Sequence, residues 1–382
     1  MNLIEKIASK YSPDRVIQGA FIAIKPHCVM THDNTYPVIT KFAKINATSI
    51  FNPAQICVTL DHDVQNKSEE NLKKYSEIRK FARKHAIDFY PAGFGIGHQI
   101  MVEQGYAFPQ TLSVASDSHS NHYGGIGCLG TPIVRTDAAA IWATGQTWWQ
   151  VPSVVKVEFY GDLNPGVTGK DIIITLCSLF NKDNVLNCAI EFSGPSIIQI
   201  PIDDRLTIAN MTTEWGALAG VFPVDARTLS WVSDRSNKLN KGAKHPRYNS
   251  ESIRSLSDNI LKPDSNATYA KLITLDLSSV EPNVSGPNSV KIATSARELE
   301  KKCIKVDKAY LISCTNSRES DLKAAADQIN GRKIMSGVEF YIAAASKEVQ
   351  KESEINGDWQ KLLDAGAIPL PSGCGPYVLF YF

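Results

Sequence analysis

Hydrophobic and polar positions along this chain change period repeatedly, and the changes predict short strands alternating with helices. β-Rich runs stand at Val16-Ile17, Phe21-Ile22-Ala23-Ile24 and Gln55-Ile56-Cys57-Val58-Thr59-Leu60, with a helix expected over 36–46. Leu72, Tyr75, Ile78 and Phe81 recur at three-residue spacing and predict a charged helix from about Ser68 to His85. A Gly-rich patch, Gly93-Phe94-Gly95-Ile96-Gly97-His98, precedes a strand at Thr111-Leu112-Ser113-Val114-Ala115. Asp117-Ser118-His119 falls in the loop after that strand, and an Ala-rich helix is expected from about Thr136 to Trp148.

A new strand is predicted at Val154–Phe159, and residues 171–225 read as a second α/β unit. The stretch 233–267 is rich in Ser, Asn, Lys and Pro and poor in pattern, so an exposed insertion or linker is expected there. A third unit is expected from about 268, with strand Ala309–Ser313 delivering Cys314, then helix 320–329 and strand 338–344. The expected fold class is therefore α/β, built of βαβ units. Its divisions are expected at 1–152, 153–270 and 271–382. Catalytic groups in such folds gather on loops beyond the carboxyl ends of strands, where most of the polar residues below fall.

Composition narrows the function classes. At 382 residues the chain should divide into two or three domains. Forty basic side chains balance thirty-nine acidic ones, which gives no footprint for nucleic acid or a membrane surface. No apolar run reaches the roughly 18 residues needed to span a bilayer. The eight cysteines are scattered, as expected of free thiols in a reducing compartment rather than of a disulfide framework. The first ten residues are mildly amphipathic, without the apolar stretch of a signal peptide or the Arg-rich character of a presequence.

Candidate chemistry lies in a few clusters. Asp61-His62 follows an apolar strand, and a carboxylate beside an imidazole fixes the ring and raises its pKa, which suits general acid work. Asp117-Ser118-His119 repeats that logic at a second strand end, ahead of Gly124, Gly125, Gly127 and Gly130. His98-Gln99 is either turn filler or site. Asn210 and Glu214, four apart, would share one face of a helix, as a surface pair or as site residues. His85 and His245 read as surface groups, His27 and His122 as structural ones. Cys314 and Cys374, in the turn-prone contexts Ser-Cys-Thr-Asn-Ser and Gly-Cys-Gly-Pro, read as small buried hydrophobes, zinc ligands or iron–sulfur ligands.

Together these segments resemble the aconitase superfamily of iron–sulfur hydro-lyases, and within it the homoaconitases of fungal lysine biosynthesis. The resemblance runs through Met30-Thr31-His32-Asp33-Asn34-Thr35, Leu60-Asp61-His62, Gly97-His98-Gln99, Ser116-Asp117-Ser118-His119 and Gly127-Cys128-Leu129-Gly130-Thr131. It continues through Arg135–Ala139, Ala209–Ala217, Ser313–Ser317 and Gly373–Pro376. Gly145–Trp149 and Gly337–Tyr341 favour the homoaconitases over mitochondrial aconitase. Alternatives within the superfamily are a large-subunit-like isopropylmalate isomerase and an aconitase-like hydratase.

The resemblance implies a three-domain α/β/α arrangement, a mitochondrial location and reversible dehydration of a small tricarboxylic acid on a 4Fe-4S cluster. For the homoaconitases that reaction joins homocitrate, cis-homoaconitate and homoisocitrate. Residue by residue, it makes Cys314 and Cys374 cluster ligands and His62, oriented by Asp61, the acid that protonates the leaving hydroxyl. Asp117, His119 and His98 then line the hydroxyl and water positions, with Glu214 close by. Ser118, Asn210, Asn316 and His32 fall in substrate-contacting segments.

The sequence also departs from the family. Tyr377 stands where the third cysteine ligand belongs, and Tyr377–Phe382 is wholly apolar and aromatic. The rest of the third domain and the family's mobile C-terminal domain, with its serine base and carboxylate-binding arginines, are not in the chain. A truncated product, inactive alone, is the expectation, as a frameshift, intron read-through or early stop would leave. Either a complementary chain restores hydro-lyase activity, or the chain is a non-enzymatic remnant.

Overall fold

The computed structural model describes residues 1–241 and 243–374. Three parallel sheets organise them. The first contains β1 (Cys28–Thr31), β2 (Ile56–Thr59), β3 (Asp88–Tyr90), β4 (Leu112–Ala115) and β5 (Leu129–Pro132), in spatial order β3-β2-β1-β4-β5. Every pairing is parallel. Strands of such sheets are covered on both faces, and every residue of β1, β2 and β4 is buried accordingly. The chain builds outward from β1 to β3, then returns to add β4 and β5 on the other side. The order therefore reverses between β1 and β4, the position where open α/β sheets bind ligands.

Helices α1 (Thr35–Lys44), α2 (Glu69–Lys84), α3 (Gly97–Glu103) and α4 (Arg135–Thr144) accompany this sheet. Phe42, Phe81 and Trp142 join α1, α2 and α4 in one apolar cluster, with the Phe81 and Trp142 rings stacked at 5.5 Å. α4 ends earlier than the expected Trp148. Gly145 takes the left-handed conformation (φ 76°) that closes a helix, and Thr147–Gln150 then pairs antiparallel with Phe21–Ile24.

The second sheet holds β6 (Val154–Tyr160), β7 (Ala189–Ser193), β8 (Ala219–Val221) and β9 (Lys271–Asp276), in order β8-β7-β6-β9. β9 was expected to open the third unit. It instead extends the second sheet by pairing in parallel with β6 over six residues. Around it lie α5 (Gly169–Leu179), α6 (Ile202–Trp215), α7 (Ala226–Leu239) and α8 (Ser250–Asp258). α7 and α8 correct the expectation of an exposed insertion over 233–267. Tyr248, Leu256 and Val232 are buried together, and Asn249 caps α8 through the backbone N–H groups of Glu251 and Ser252. One apolar side chain per turn is too sparse to register as a pattern, yet it suffices for a helix resting on an existing core.

The third sheet, β10 (Lys308–Leu311), β11 (Glu339–Ile342) and β12 (Ile368–Pro369), is parallel in that order and packs with α9 (Glu319–Ile329), α10 (Lys347–Ile355) and α11 (Asp358–Ala365). It docks on the first unit through the Gly-rich patch. Gly93 bridges Ser372, Gly95 bridges Ser346, and Ile96 N–H donates to the Ala345 carbonyl at 2.8 Å. No helix among the described residues is long and apolar enough to cross a membrane.

Candidate active site

The polar residues at the strand ends meet where the first sheet reverses its order. β1 leads directly into His32 and Asp33, β2 through Leu60 into Asp61 and His62, and β4 into Ser116 and Asp117. The Asp33 carboxylate accepts the backbone N–H groups of Asp61 (2.9 Å), His62 (2.7 Å) and Asp63 (3.1 Å), and the Tyr75 hydroxyl as well. This fixes the β2 tip. Burial opposes the charged Asp33, but the Tyr75 hydroxyl and those backbone donors hold its carboxyl below the usual range.

His62 is gripped from both ends. Its Nδ1 lies 2.8 Å from Asp61 Oδ1 and its Nε2 3.3 Å from Asp117 Oδ2, while Asp61 Oδ2 accepts Gly97 N–H at 2.7 Å. Burial works against an imidazolium here, but Asp61 and Asp117 outweigh it and raise the ring to about 11. Asp117 also takes His98 Nε2 at 2.9 Å and the His119 backbone N–H at 2.9 Å. Its carboxyl is held well below its ordinary range, because His98 and the other donors overcome burial.

His98 is not in a loop but in the first turn of α3, with Nδ1 3.1 Å from the Tyr123 hydroxyl. His119 Nε2 reaches Glu214 Oε1 at 2.7 Å. Burial disfavours the charged ring, yet Asp117 and Glu214 bring it up to about 11.

Asn210 and Glu214 do share one face of α6. Asn210 reaches His122 Nδ1 (3.2 Å) and Cys314 Sγ (3.9 Å). α6 lies against the 3-10 segment Ser118–Ile126 at very short range, since a Cβ on Gly125 would stand 2.5 Å from the Leu206 Cα. Those glycines bring the His119 and Glu214 backbones together.

Cys314 and Cys374 meet beside this group. The two side chains pack in one cluster. The neighbouring Cys374 thiol, opposed by burial and helped by His119 and His98, draws Cys314 down to about 6, whereas Cys314 and burial together push Cys374 well up. Cys374 N–H donates to the Asp61 carbonyl at 2.6 Å, tying the thiols to the acid group. The Cys314 turn is strained: Ser313 (φ 101°) and Ser317 (φ 69°) both lie in the left-handed region. Buried Arg318 braces it by donating to the carbonyls of Thr315 (3.0 Å) and Cys314 (3.4 Å) and to Thr207 Oγ1 (3.0 Å).

Not every expected residue converges. Asn316 donates to Asp321 on α9 at 2.8 Å, and Ser118 is exposed, with its hydroxyl 3.4 Å from His119 Nδ1. His32 does belong, stacked on His62 at 4.0 Å. Burial and its charged neighbour hold its ring below the usual value. Tyr377 lies outside the described residues.

Sequence reasoning assigned no role to Asp33, Tyr75, Tyr123 or Arg318. Asp33 stands inside a quoted segment beside His32, which was the available signal. Arg318 follows directly on Ser317 and looked like any basic residue. His32, Asp33, Asp61 and His62 lie close enough to surround a cation, but both carboxylates already spend their oxygens on backbone N–H groups, Tyr75 and His62.

The donor set suits an iron–sulfur cluster on one side and acid–base chemistry on the other. The thiols sit together where Cys314 ionises readily, and Glu214 Oε2 is buried without a hydrogen-bond partner among the described residues. A family model described as "Aconitase family (aconitate hydratase)" matches residues 5–378. Among curated proteins, "Homoaconitase, mitochondrial" of Mycosarcoma maydis is 61% identical over 99% of this chain and 54% of its own length. Proteins of the same name from Candida albicans (60%) and Debaryomyces hansenii (59%) also match 99% of the chain, over 56% and 55% of theirs. The chain thus spans about half the length of the curated relatives it matches. On the family match and these identities, the chain belongs to the aconitase family.

Proposed function

We propose that this chain carries the acid half and two thiol ligands of a homoaconitase-type hydro-lyase, which interconverts homocitrate, cis-homoaconitate and homoisocitrate. The observation that carries the reading is the convergence of Asp61, His62, Asp117, His98, His119 and Glu214 beside two thiols. A 4Fe-4S cluster held in part by Cys314 and Cys374 would supply Lewis acidity toward the substrate hydroxyl.

The chain's own groups do the rest. With both carboxylates around it, His62 carries protons on both ring nitrogens at neutral pH. An acid near 11 protonates water poorly. It does protonate a departing hydroxide, whose conjugate acid lies at about 15.7, so the proton moves as the C–O bond breaks. Asp61 keeps the ring facing inward, and Asp117 holds the charge until substrate arrives. His119, paired with Glu214, and His98 order the water released or added. His32, stacked on His62, would border the substrate. A carboxylate-rich substrate and mitochondrial residence are the corresponding assignments for partner and place.

Anaerobic reconstitution with iron and sulfide tests the reading. A broad visible absorbance and an electron paramagnetic resonance signal are expected, both abolished by Cys314→Ser. Hydration of cis-homoaconitate is then measured for the chain alone and with a polypeptide supplying the remaining length of a homoaconitase. No cluster signal under either condition overturns the proposal.

A further inference from the structure

Glu103, the last residue of α3, stands where the three units of the chain meet, and it is 3% exposed. Its Oε1 accepts Gln99 Nε2 from its own helix at 2.9 Å and Ser346 Oγ from the third unit at 2.8 Å. Its backbone carbonyl accepts Arg235 Nη2, on α7 of the second unit, at 2.6 Å. Ser346 is also the residue that caps α10 and bridges Gly95, so Glu103 grips the docking seam of the third unit directly. Nothing in the chemistry above uses this carboxyl.

The surrounding charge decides which form of Glu103 the seam tolerates. Arg235 gives its guanidinium to Glu348 of α10, bonding Oε1 through Nη1 and Oε2 through Nη2 at 3.3 Å. Lys238 also goes to Glu348 (2.7 Å) and to Glu352 (2.8 Å). Glu348 lies in the first turn of α10 and already answers the positive end of that helix. The Glu103 carboxyl is left with two neutral donors and no ion pair among the described residues. Two more ionisable side chains approach, and neither bonds the carboxyl. Tyr248 donates to the Val102 carbonyl at 2.8 Å, and Arg247 donates to the Gln104 carbonyl at 2.7 Å and lies over the Tyr106 ring. Burial and the Glu348 carboxylate push Glu103 up to about 7, against the pull of Arg235, Gln99 and Ser346.

We infer that Glu103 is a pH-operated latch on the third unit: protonated, it holds α10 and the thiol-bearing sheet against α3, and ionised, it loosens them. An undocked Glu103 in water titrates near its ordinary 4.5, so as pH rises from there to about 7 the docked form keeps a proton that the undocked form has lost. Docking is therefore strongest in acid and weakens through that window. None of these side chains bonds Cys314, Cys374 or the histidines, so the latch operates whether or not the chain is a hydro-lyase.

Hydrogen exchange of the unaltered chain and of Glu103→Gln, compared at the same pH so that the intrinsic chemistry cancels, provides the test. Glutamine keeps an oxygen for Gln99 and Ser346 but cannot ionise. Amides of α10 and β11 should exchange within about twofold of each other at pH 5, and at least about tenfold faster in the unaltered chain at pH 8. Those of β1, β2 and β4 should not differ at either pH. Glu348→Gln gives a second reading without touching the buried residue, because Arg235 is then free to balance an ionised Glu103. The ratio of unaltered to Glu348→Gln exchange in β11 should likewise rise about tenfold from pH 5 to pH 8. A purely structural role for either glutamate would shift exchange by the same factor at both pH values. A ratio that stays constant or falls between pH 5 and pH 8, in either comparison, overturns the inference.

Discussion

In the first sheet, every residue of the three strands that deliver His32, Asp61 and Asp117 is buried, whereas β10 and β12 of the third sheet have no buried residue and β11 has one. The two halves of the candidate site therefore owe their geometry to different forces. The histidines and carboxylates stand on a close-packed parallel sheet, at the point where its order reverses. The thiols stand on a half-covered sheet held in place by a few docking contacts and by Arg318. The acid half is pre-organised by its own core, and the thiol half by its neighbours.

The largest expected effect comes from attacking the packing beneath the acid half. A Cβ on Gly124 would lie 1.6 Å from the Gly220 carbonyl oxygen, a backbone atom that cannot yield. Gly124→Ala should cost more than about 4 kcal/mol, and the chain should be recovered unfolded or insoluble. A normal circular dichroism melt for this variant would show that the first and second units are not locked together there.

Arg318→Met comes next, at about 3 kcal/mol, because it strips charged donors from the carbonyls of Cys314 and Thr315 inside a strained turn. Both thiols should alkylate faster while the first-sheet amides keep their protection from hydrogen exchange. Equal deprotection of both sheets would collapse the distinction between the halves.

Gly95→Ala is milder, about 2 kcal/mol, since the new Cβ would sit 2.9 Å from the Ser346 side chain in the docking seam. Hydrogen exchange should quicken across 308–374 and remain slow in β1, β2 and β4.

The same contrast explains what could be read from the sequence. Long apolar runs such as Gln55–Leu60 and Thr111–Ala115 marked the buried strands, and Asp61-His62 and Asp117-Ser118-His119 marked their polar tips. α7 and α8 were hidden because their buried side chains, Val232, Tyr248 and Leu256, are spread thinly among polar ones. The strand at Lys271–Asp276 was visible, but its allegiance was not, because pairing with β6 depends on tertiary contacts rather than local pattern. Asp33 and Arg318 escaped notice for a related reason. Their importance lies in the backbone groups they satisfy, and no residue-type pattern records which carbonyl or amide is left over.

The smallest expected effect tests the charge stored in the acid half. His62 and His119 are each raised to about 11 in the folded chain, against about 6.5 for an unperturbed imidazole. Between those values the folded state holds a proton that the unfolded state has released. The stabilisation is therefore complete below about pH 6.5 and declines as pH rises toward the folded values, by at most about 1.4 kcal/mol per pH unit for each ring. His62→Gln removes one of the two contributions and leaves His119 with Glu214 intact. Denaturant melts at pH 7 and pH 8 should show the fall in stability of the unaltered chain roughly halved in this variant, a difference of about 1 kcal/mol. Asp117 would then keep His98 and the His119 backbone as donors. If the pH slope is the same in both proteins, His62 is neutral in the folded chain, and the acid half is organised by packing alone.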